Sequence, residues 1–416
     1  MKLLFLNRSF WPDLEATGQF LTELCEDLSS EHEVTFIAGP SYHVNGNGRG
    51  GLLRREARGR VSIIRTWGTR LPKRWLAARL LNLGTYFGLA ALAAFAAERP
   101  DVVIGETDPP LLGALGAVLK RRFRCRFVYN VRDLFPDIAE ATGAMRSRPM
   151  LWLLEVANRF AYRHADLVLV LGEDMRERIL AKGVPAKRIR VVPDWVDCGQ
   201  VSPVATSPFR AHFGDRFVVM YSGNLGLSQQ LDSVLEAAEE LRDDARILFV
   251  LVGEGARKQW LMDRVRERGL DNVRFFPYQP KEKLAESLSA ADLHLIPLAP
   301  GAAGLIVPSK VYGILGAGRP FVAMLDESSD VARIARQHGV GFVVPPDNVR
   351  ALAAVLRRAA DAPGELAHMG RRARLLAEQK YDRKVATRRF ADALAELGGR
   401  AAAPSQMDAA SLHQAF

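Results

Sequence analysis

The chain has 416 residues, a length that excludes a single ordinary hydrophobic core and favours two domains. Its hydrophobic share of 48% and charged share of 25% are typical of a soluble globular protein. The net charge of +10 is compatible with nucleic acid, an anionic membrane or a phosphorylated ligand, whereas the three widely spaced cysteines show no metal-ligand spacing and favour the reducing cytoplasm.

The first half of the chain predicts a doubly wound parallel sheet, an N-terminal Rossmann-like domain of residues 1–195. Its opening apolar run is ended by Asn7 and Arg8 before a signal-peptide core can form, so it predicts a strand. An amphipathic helix at 17–28 separates it from the next strand. An apolar run at 80–97 is interrupted by polar residues and glycines, which favours a buried helix over a membrane span. The predicted strands are 2–7, 33–38, 61–66, 102–105, 127–131 and 167–170.

A basic segment with two tryptophans lies between Glu56 and Glu98, where the sequence contains no acidic residue. Trp67, Leu71 and Trp75 are interleaved with its cations. Indole rings settle at the headgroup level of a bilayer and cations attract anionic lipid, so the segment predicts peripheral contact with an anionic membrane surface. No nucleic acid partner is expected, because the chain has no helix-turn-helix, zinc-finger or RNP-type pattern. The cations are Arg58, Arg60, Arg65, Arg70, Lys73, Arg74 and Arg79.

The second half predicts another Rossmann-like domain, of residues 196–397, after a stretch at 188–209 that is rich in Pro, Ser and Val and has no helical period. A tail at 398–416 is rich in Ala, Ser and Gln and is predicted to be disordered. Domains of this α/β class bind ligands outside the carboxyl ends of their strands, so the sequence predicts an active site in the cleft between the two. The predicted strands are 217–221, 247–252, 273–276, 293–296, 321–324 and 341–344.

The stretch from 295 to 323 joins a buried apolar run, a loop of small residues at 300–304 and a helix opened by Pro308, Ser309 and Lys310. Glycines let a backbone approach a ligand closely, and a proline in the first helical turn loses no hydrogen bond. The unpaired N–H groups at the positive helix end suit a diphosphate. The same pattern also occurs in ordinary strand-loop-helix turns that bind no ligand. Other parts of the sequence are needed to distinguish a diphosphate site from such a turn.

The second domain contains five motifs in the order YSGNLG at 221–226, LVGEG at 251–255, VRFFPY at 273–278, AADLHLIPL at 290–298 and PSKVYGILGAGRPFVA at 308–323. In this order they resemble the donor domain of GT-B glycosyltransferases. Three first-domain segments look like acceptor-side loops of the same enzymes: NRSFWPDLEATGQ at 7–19, TDPPLLG at 107–113 and YNVRDLFPD at 129–137. Together they resemble the retaining family 4, in its WbuB- or WcaI-like subgroup of bacterial polysaccharide clusters, from residue 1 to about 397.

The resemblance implies transfer of a hexose or N-acetylhexosamine from a nucleotide diphosphate sugar, with UDP as the expected nucleotide, retained anomeric configuration and no metal cofactor. The implied acceptor is a lipid-linked saccharide of exopolysaccharide or O-antigen synthesis, reached from the inner face of the cytoplasmic membrane. Two alternatives stay open. One is a sugar-nucleotide epimerase or hydrolase of the same fold, and the other is a catalytically silent GT-B scaffold.

The resemblance assigns Ser309 and Lys310 to the diphosphate, although Lys310 could equally be a solvent-facing cation on a first turn. Many family members have two glutamates eight positions apart in this element, and the second grips the ribose of the nucleotide. Here the matching positions are Leu305 and Gly313, so both carboxylates are missing. Either a neighbour such as Tyr312 or Glu254 holds the sugar hydroxyls in their place, or donor binding is weakened.

A second departure lies in the loop after the first strand of this domain, where family members often have an arginine and a lysine. Asn224 and Gln229 occupy those positions, and their amides donate hydrogen bonds without supplying charge. Arg319 could supply charge instead, or could be a plain surface cation. Glu254 is expected at the ribose and Tyr278 at the base, although Tyr278 could simply cover the core.

The first domain is expected to contribute Gly18, whose backbone N–H would touch the donor phosphate across the cleft. Arg132 and Asp133 follow a predicted strand and are the candidate catalytic residues. Asp133 could take the proton of the acceptor hydroxyl, stabilise the positive anomeric centre or only position substrate, since the leaving phosphate is often thought to be the base in such enzymes. It could also merely cap the turn at 134–136.

Overall fold

Two parallel sheets carry the chain, which confirms the predicted fold of two doubly wound α/β domains. The computed structural model describes residues 1–13, 15–41, 51–69, 71, 76–226 and 229–398. Several cations of the predicted membrane segment, among them Arg70, Lys73 and Arg74, lie outside the described residues. The predicted disordered tail lies outside them too, except for Gly398.

The first sheet has eight strands within the described ranges, in the order β3-β4-β2-β1-β5-β6-β7-β8. Neighbouring strands are parallel except for β3 and β4, which form an antiparallel pair. The central strands are apolar along almost their whole length because helices cover both faces of the sheet. The strands are β1 (Lys2–Leu6), β2 (Glu33–Ala38), β3 (Leu53–Arg58), β4 (Val61–Thr66), β5 (Val102–Gly105), β6 (Arg126–Val131), β7 (Leu167–Val170) and β8 (Ile189–Val191).

Helices of the first domain pack in two layers. The layer on one face contains α2, α3 and α5, and α1 lies on the other face. Strands β3 and β8 were not predicted, because β3 carries three arginines and β8 has only three residues. The helices are α1 (Ala16–Leu28), α2 (Leu76–Ala96), α3 (Leu112–Phe123), α4 (Asp137–Ala141), α5 (Arg148–His164) and α6 (Glu173–Ala181).

The second sheet has six parallel strands in the described part of the chain, in the order β11-β10-β9-β12-β13-β14. The strand order reverses at β9, which makes its carboxyl end the point where such a sheet binds ligands. The strands are β9 (Phe217–Ser222), β10 (Ile247–Val252), β11 (Val273–Phe276), β12 (Leu293–Pro297), β13 (Phe321–Met324) and β14 (Gly341–Val344). The helices are α7 (Asp232–Glu240), α8 (Lys258–Arg268), α9 (Leu284–Ser289), α10 (Lys310–Gly316), α11 (Asp330–His338), α12 (Val349–Ala360), α13 (Pro363–Leu376) and α14 (Arg383–Leu397).

The last helix, α14, returns to the first domain and packs beside α1. The ring centroid of Phe390 lies 6.3 Å from that of Phe5 on β1. The guanidinium of Arg383 donates hydrogen bonds of 2.6 and 3.0 Å to Asp27 on α1. The sequence placed this helix in the second domain, because a helical period shows that one face is apolar without showing which sheet that face covers. The predicted boundary near residue 195 stays a prediction.

The chain crosses between the domains twice, and the two crossings lie side by side. The Val196 N–H donates to the Tyr381 carbonyl at 2.9 Å, and the Arg383 N–H donates to the Val196 carbonyl at 2.9 Å. The stretch at 188–209 is therefore held in place by the C-terminal segment, although its sequence has no regular period.

Helix α2 covers most of the apolar run at 80–97 but is not wholly buried, which corrects the prediction. Leu81, Leu92 and Phe95 are exposed, whereas Tyr86 and Ala90 pack into the first domain. Across the described ranges, no helix is both long and apolar enough to cross a bilayer.

Replacing Phe390 by Ala should lower the free energy of unfolding by about 3–5 kcal/mol, because the ring is fully buried and the cavity cannot close completely. Urea denaturation followed by circular dichroism measures the change. The control is Arg388→Ala on the exposed face of the same helix, which should change stability by about 0.5 kcal/mol or less. Equal stability of the Phe390→Ala variant and the unmodified protein would show that α14 does not complete the first domain.

Candidate active site

The two domains meet where the loop after β6 contacts the loop after β12. Asp133 pairs with Ile306 in an isolated antiparallel bridge. The Leu134 N–H donates a 2.8 Å hydrogen bond to the Leu305 carbonyl. Ile306 precedes Lys310 by four residues, so this contact brings the predicted catalytic loop and the predicted diphosphate loop to the same place.

The small residues of the loop at 300–304 serve this domain contact. Gly304 has φ +73°, and a Cβ added there would lie 3.0 Å from the Asp174 carbonyl oxygen. Arg178 donates to the Ala303 carbonyl at 3.3 Å, and the Asp330 N–H donates to the Asp174 carboxylate at 2.9 Å. The sequence predicted that these glycines let the backbone approach a ligand, but Gly304 instead lets it approach α6 of the first domain.

Lys310 carries its positive charge to the carboxyl end of β9. Its ammonium lies 2.9 Å from the Tyr221 hydroxyl and 4.0 Å from the centroid of that ring. The Tyr221 hydroxyl donates in turn to the Asn224 carbonyl at 2.6 Å. Lys310 forms no ion pair with a carboxylate of the described chain, and burial lowers its pKa to about 7. A compact cation without a counterion, at the point where the strand order reverses, is suited to an anionic ligand.

Ser309 is the residue immediately before α10, and the helix begins at Lys310. The Val311 and Tyr312 N–H groups already donate to the Pro308 and Ser309 carbonyls at 3.1 and 3.3 Å. The first N–H of the helix, that of Lys310, is therefore the backbone donor that can serve a ligand beside the ammonium. The Lys310 side chain lies against Gly223, since a Cβ added to Gly223 would be 3.3 Å from the lysine Cε. The amine is therefore held between the start of α10 and the loop after β9.

The loops after β9 and β10 are packed backbone against backbone. Gly253 has φ +148°, and a Cβ added there would lie 1.9 Å from the Gly223 carbonyl oxygen, so only glycine fits. The Leu225 N–H donates to the Glu254 carbonyl at 2.8 Å. This packing explains the glycines of the LVGEG motif and fixes the loop that faces Lys310.

Glu254 and Tyr278 lie near each other at the edge of the cleft. The Glu254 carboxylate is exposed and pairs with Lys258 at 2.6 Å, so it must exchange that partner before it can accept from a ribose. Burial raises the pKa of Tyr278, and the charges of Glu254 and Glu15 raise it further. Because Glu15 belongs to the first domain, Tyr278 is within electrostatic range of both domains.

The amides of Asn224 and Gln229 converge on one point of their loop. A Cβ added to Gly226 would lie 2.7 Å from the Asn224 amide nitrogen and 2.9 Å from the Gln229 amide oxygen. The guanidinium of Arg319 is committed elsewhere, because it donates to the Ser289 carbonyl at 2.5 Å. Among the side chains weighed for the missing charge, Lys310 is therefore the one that reaches this loop.

Tyr312 is wholly buried, which contradicts its predicted contact with sugar hydroxyls. Its ring lies 5.1 Å from that of Tyr381, and its hydroxyl has no hydrogen-bond partner in the described part of the chain. Gly313 faces the protein as well, since an added Cβ would lie 3.3 Å from the Leu288 Cδ1. A helical spacing indicates that two residues are neighbours but not which of them points into the core.

Gly18 lies in the first turn of α1 and provides room for the preceding loop. A Cβ added there would lie 3.4 Å from the Phe10 backbone nitrogen and 3.5 Å from the Asp13 Cβ. The helix starts at Ala16, so the Gly18 N–H belongs to the group of first-turn donors without an intrahelical acceptor. Its contact with a donor phosphate stays a prediction.

Arg132 is buried and pairs with Asp194, whose carboxylate accepts at 2.5 Å. Its guanidinium also lies 5.4 Å from the centroid of the Phe20 ring. The sequence proposed Arg132 as catalytic, but these contacts keep its charge within the first domain. It therefore positions the loop that carries Asp133.

Asp133 presents a half-buried carboxyl beside the domain contact. Its backbone N–H donates to the Thr107 hydroxyl at 3.2 Å, and its backbone carbonyl accepts from the Phe135 N–H at 3.1 Å. The hydrogen bond within the turn thus uses the backbone and not the carboxylate, which argues against a capping role. Burial raises the pKa of Asp133 to about 6, and the charges of Asp108 and Asp194 contribute while Arg132 opposes them.

Sequence reasoning missed three groups that shape this site. Tyr221 holds the ammonium, Asp194 neutralises Arg132, and Glu106 is buried at the end of β5. Glu106 accepts from the Asn130 amide at 2.8 Å, and burial raises its pKa to about 7. A polar residue that ends or directly follows an apolar strand was the available signal for Tyr221 and Glu106.

Comparison with known proteins covers almost the whole chain. Residues 16–195 match the family described as "Glycosyl transferase 4-like domain", and residues 206–376 match "Glycosyl transferases group 1". The putative colanic acid biosynthesis glycosyl transferase WcaI of Escherichia coli is 29% identical over 410 residues, which are 94% of this chain and 98% of that protein.

Solved structures share the fold at low sequence identity. Sucrose-phosphate synthase from Thermosynechococcus elongatus superposes with a TM-score of 0.77 at 18% identity, covering 96% of this chain and 99% of that one. Anabaena HepE in complex with UDP-glucose superposes with a TM-score of 0.70 at 17% identity, covering 95% and 100%. In both, the likeness extends over the two domains and the connection between them.

Proposed function

The chain belongs to family 4 of the GT-B glycosyltransferases and is a glycosyltransferase of bacterial polysaccharide biosynthesis, and from this premise we propose that it is a retaining enzyme with a UDP-sugar donor and a lipid-linked acceptor. The bond between the anomeric carbon and the diphosphate oxygen breaks, and that carbon bonds the oxygen of the acceptor hydroxyl. The hydroxyl proton passes to the departing diphosphate. A hexose or N-acetylhexosamine is the unit transferred.

One observation carries the proposal. Lys310 places an ammonium without a counterion at the carboxyl end of β9, where the chain between Leu305 and Lys310 also touches the Asp133 loop. A diphosphate bound there would leave the anomeric carbon near the domain contact. HepE, which has this fold, binds UDP-glucose in its solved complex, and this supports UDP as the nucleotide.

The donor site of this proposal neutralises the leaving diphosphate with the Lys310 ammonium and the first N–H of α10, and it uses no metal cofactor. The Ser309 backbone contributes to the same cradle, and Gly18 closes it from the first domain. The amides of Asn224 and Gln229 donate hydrogen bonds without adding charge. On the nucleoside side, Glu254 accepts from the ribose after releasing Lys258, and Tyr278 lies at the base.

Asp133 acts in this proposal as a carboxylate. A retaining transfer develops positive charge at the anomeric carbon, and a fixed negative charge stabilises it. Burial holds the pKa of Asp133 at about 6, so the carboxylate predominates at neutral pH. Arg132 and Asp194 hold the loop from beneath.

The acceptor side faces an anionic membrane in this proposal, with the enzyme peripheral on its inner face. Trp67 and Leu71 of the basic segment are exposed, as a membrane contact requires. The remaining tryptophan of that segment, Trp75, lies outside the described residues.

Transfer can be tested by incubating the protein with labelled UDP- and GDP-sugars and a membrane lipid extract. We expect label from a UDP-sugar to move into the lipid fraction, with UDP released. Consumption of donor without labelled lipid would favour an epimerase or hydrolase, and binding without turnover would favour a scaffold.

Lys310→Ala should weaken UDP binding about 10- to 100-fold, because a charged hydrogen-bond partner of the diphosphate is lost. In the empty site the amine is protonated below pH 7 and neutral above it. Binding above pH 7 therefore requires proton uptake, and the affinity of the unmodified protein should fall by up to about tenfold per pH unit. Calorimetry between pH 6 and about 9 measures both effects.

The matched control is Lys384→Ala, which removes an exposed lysine at the start of α14. Its UDP affinity and pH dependence should equal those of the unmodified protein. Unchanged affinity in Lys310→Ala would remove Lys310 from the donor site.

Asp133→Asn should lower kcat about 100-fold or more, because the amide keeps the shape and loses the charge. The kcat/KM of the unmodified enzyme should rise as pH increases through about 6, since the carboxylate is the active form, and the variant should lack this limb. The control is Asp137→Asn on α4, which pairs with Lys182 at 2.9 Å and should retain activity. If kcat/KM of the Asp133→Asn variant still rose with pH through about 6 as in the unmodified enzyme, the role of Asp133 would be contradicted.

A further inference from the structure

The first half of helix α5 is apolar on its exposed face as well as on its buried one. Leu154, Asn158 and Tyr162 point into the first domain. On the opposite side Trp152 is 67% exposed, and Leu153 and Val156 are exposed by 47% and 44%. A surface helix normally carries polar side chains there, so a cluster of this kind indicates a contact with something apolar.

The apolar half of α5 lies at the edge of the sheet that carries the candidate active site. The helix ends at His164, just before β7 begins, so it runs antiparallel to the strands and starts at their carboxyl ends. Asn158 fixes this position, because its amide donates to the Phe135 carbonyl at 2.5 Å and accepts from the Tyr129 hydroxyl at 2.7 Å. Phe135 is two residues from Asp133.

A second exposed apolar group lies at the same edge. Trp67 and Leu71 follow β4, Leu81 is on the first half of α2, and all three are exposed. The Asn82 side chain holds Leu71 from both sides, since it accepts from the Leu71 N–H at 3.0 Å and donates to the Leu71 carbonyl at 2.9 Å. The Thr85 hydroxyl accepts a hydrogen bond from the backbone N–H of Thr69 at 3.2 Å.

Both groups belong to one layer of helices. Helices α2, α3 and α5 cover the same face of the first sheet, with α3 between the other two. Neighbouring helices are about 8–10 Å apart, so the exposed groups on α2 and α5 are separated by about 20 Å. All but three of the exposed large hydrophobic side chains in the described part of the chain belong to the first domain.

Both groups lie beside stretches of sequence without acidic residues, and Glu155 on α5 is neutralised by Arg159 and Lys182. The sequence contains no acidic residue between Glu140 and Glu155, and Arg146 and Arg148 are exposed within that interval. The stretch between Glu56 and Glu98 is likewise free of acids. Arg58 and Arg65 of that stretch pair with Glu26 and Glu56, whereas Arg146 and Arg148 form no ion pair among the described residues. Exposed indole and aliphatic side chains beside these two arginines match an anionic bilayer surface, where apolar groups insert and cations meet the headgroups.

We propose that these two groups form one docking surface for an anionic lipid bilayer, and that the surface sets the cleft against the membrane. The docking surface consists of Trp67, Leu71, Leu81, Arg146, Arg148, Trp152, Leu153 and Val156. The inference rests on the proposed function, because it assumes a lipid-linked acceptor. It adds α5 to the membrane contact, which the sequence located only in the basic segment. An acceptor anchored in that bilayer would then meet the loop of Asp133 from the side of α5.

Vesicle sedimentation tests the surface. The unmodified protein should pellet with vesicles of phosphatidylglycerol and phosphatidylcholine and much less with phosphatidylcholine alone. The variant with Trp152→Ser, Leu153→Ser and Val156→Ser should bind the anionic vesicles at least about tenfold more weakly, because three inserting side chains are removed. A variant with Arg146→Ser and Arg148→Ser should bind more weakly at low salt and lose part of its salt dependence.

The matched control is Leu92→Ser with Phe95→Ser, which alters exposed apolar residues of the same helix layer about 17 Å or more along α2 from Leu81, toward the other edge of the sheet. It should bind vesicles like the unmodified protein. The proposal would be overturned if the control lost as much vesicle binding as the α5 variant, or if the α5 variant kept full binding. It would also be overturned if the unmodified protein bound no vesicles and pelleted only together with another protein. UDP affinity separates the two proposals, because every variant should bind UDP as tightly as the unmodified protein. If the unmodified protein did not bind UDP, the donor-site proposal would be wrong, whereas the vesicle result would remain valid.

Discussion

The contact between the loop after β6 and the loop after β12 is the constraint on which the rest of this molecule depends. It consists of the Asp133–Ile306 bridge and the hydrogen bond from Leu134 to Leu305. Each sheet alone presents only half of the chemistry, an acid on one side and an ammonium on the other. The backbone contact joins the halves without using either side chain, so both stay available to a substrate. Small residues around Gly304 make this close approach possible.

The electrostatics divide the charged groups near the cleft into two kinds. Arg132 and Asp194 neutralise each other in a buried pair, which leaves no net charge for a ligand. Among the described residues, the polar partner of the Lys310 ammonium is Tyr221, with its hydroxyl and ring, and no carboxylate pairs with it; burial therefore lowers the pKa of Lys310. An uncompensated buried charge costs stability in the empty protein, and a bound anion removes that cost. The same side chain therefore weakens the fold and prepares the site.

The sequence predicted the strands well because buried parallel strands are apolar runs, and β1, β5, β7 and β10 are such runs. It missed β3, whose arginines resemble a loop, and it did not show that α14 packs against the first sheet, because amphipathicity does not identify the partner sheet. At the site, the order of loops predicted where Lys310 and Asp133 would lie. It could not predict that Tyr312 faces the core or that Arg132 is already paired, since both depend on side-chain directions and on contacts distant in sequence.

The return of α14 to the first domain has a consequence for how the protein is made. Phe390 and its neighbours cover part of the apolar surface formed by β1 and α1, which are synthesised long before α14. Until α14 has been synthesised, that surface lacks this cover and is open to water and to other nascent chains. The N-terminal half is thus completed last, after the C-terminal sheet has been synthesised in full. The order in which the domains are synthesised therefore differs from the order in which they are completed. The apolar surface of the first domain must be protected from aggregation until α14 covers it.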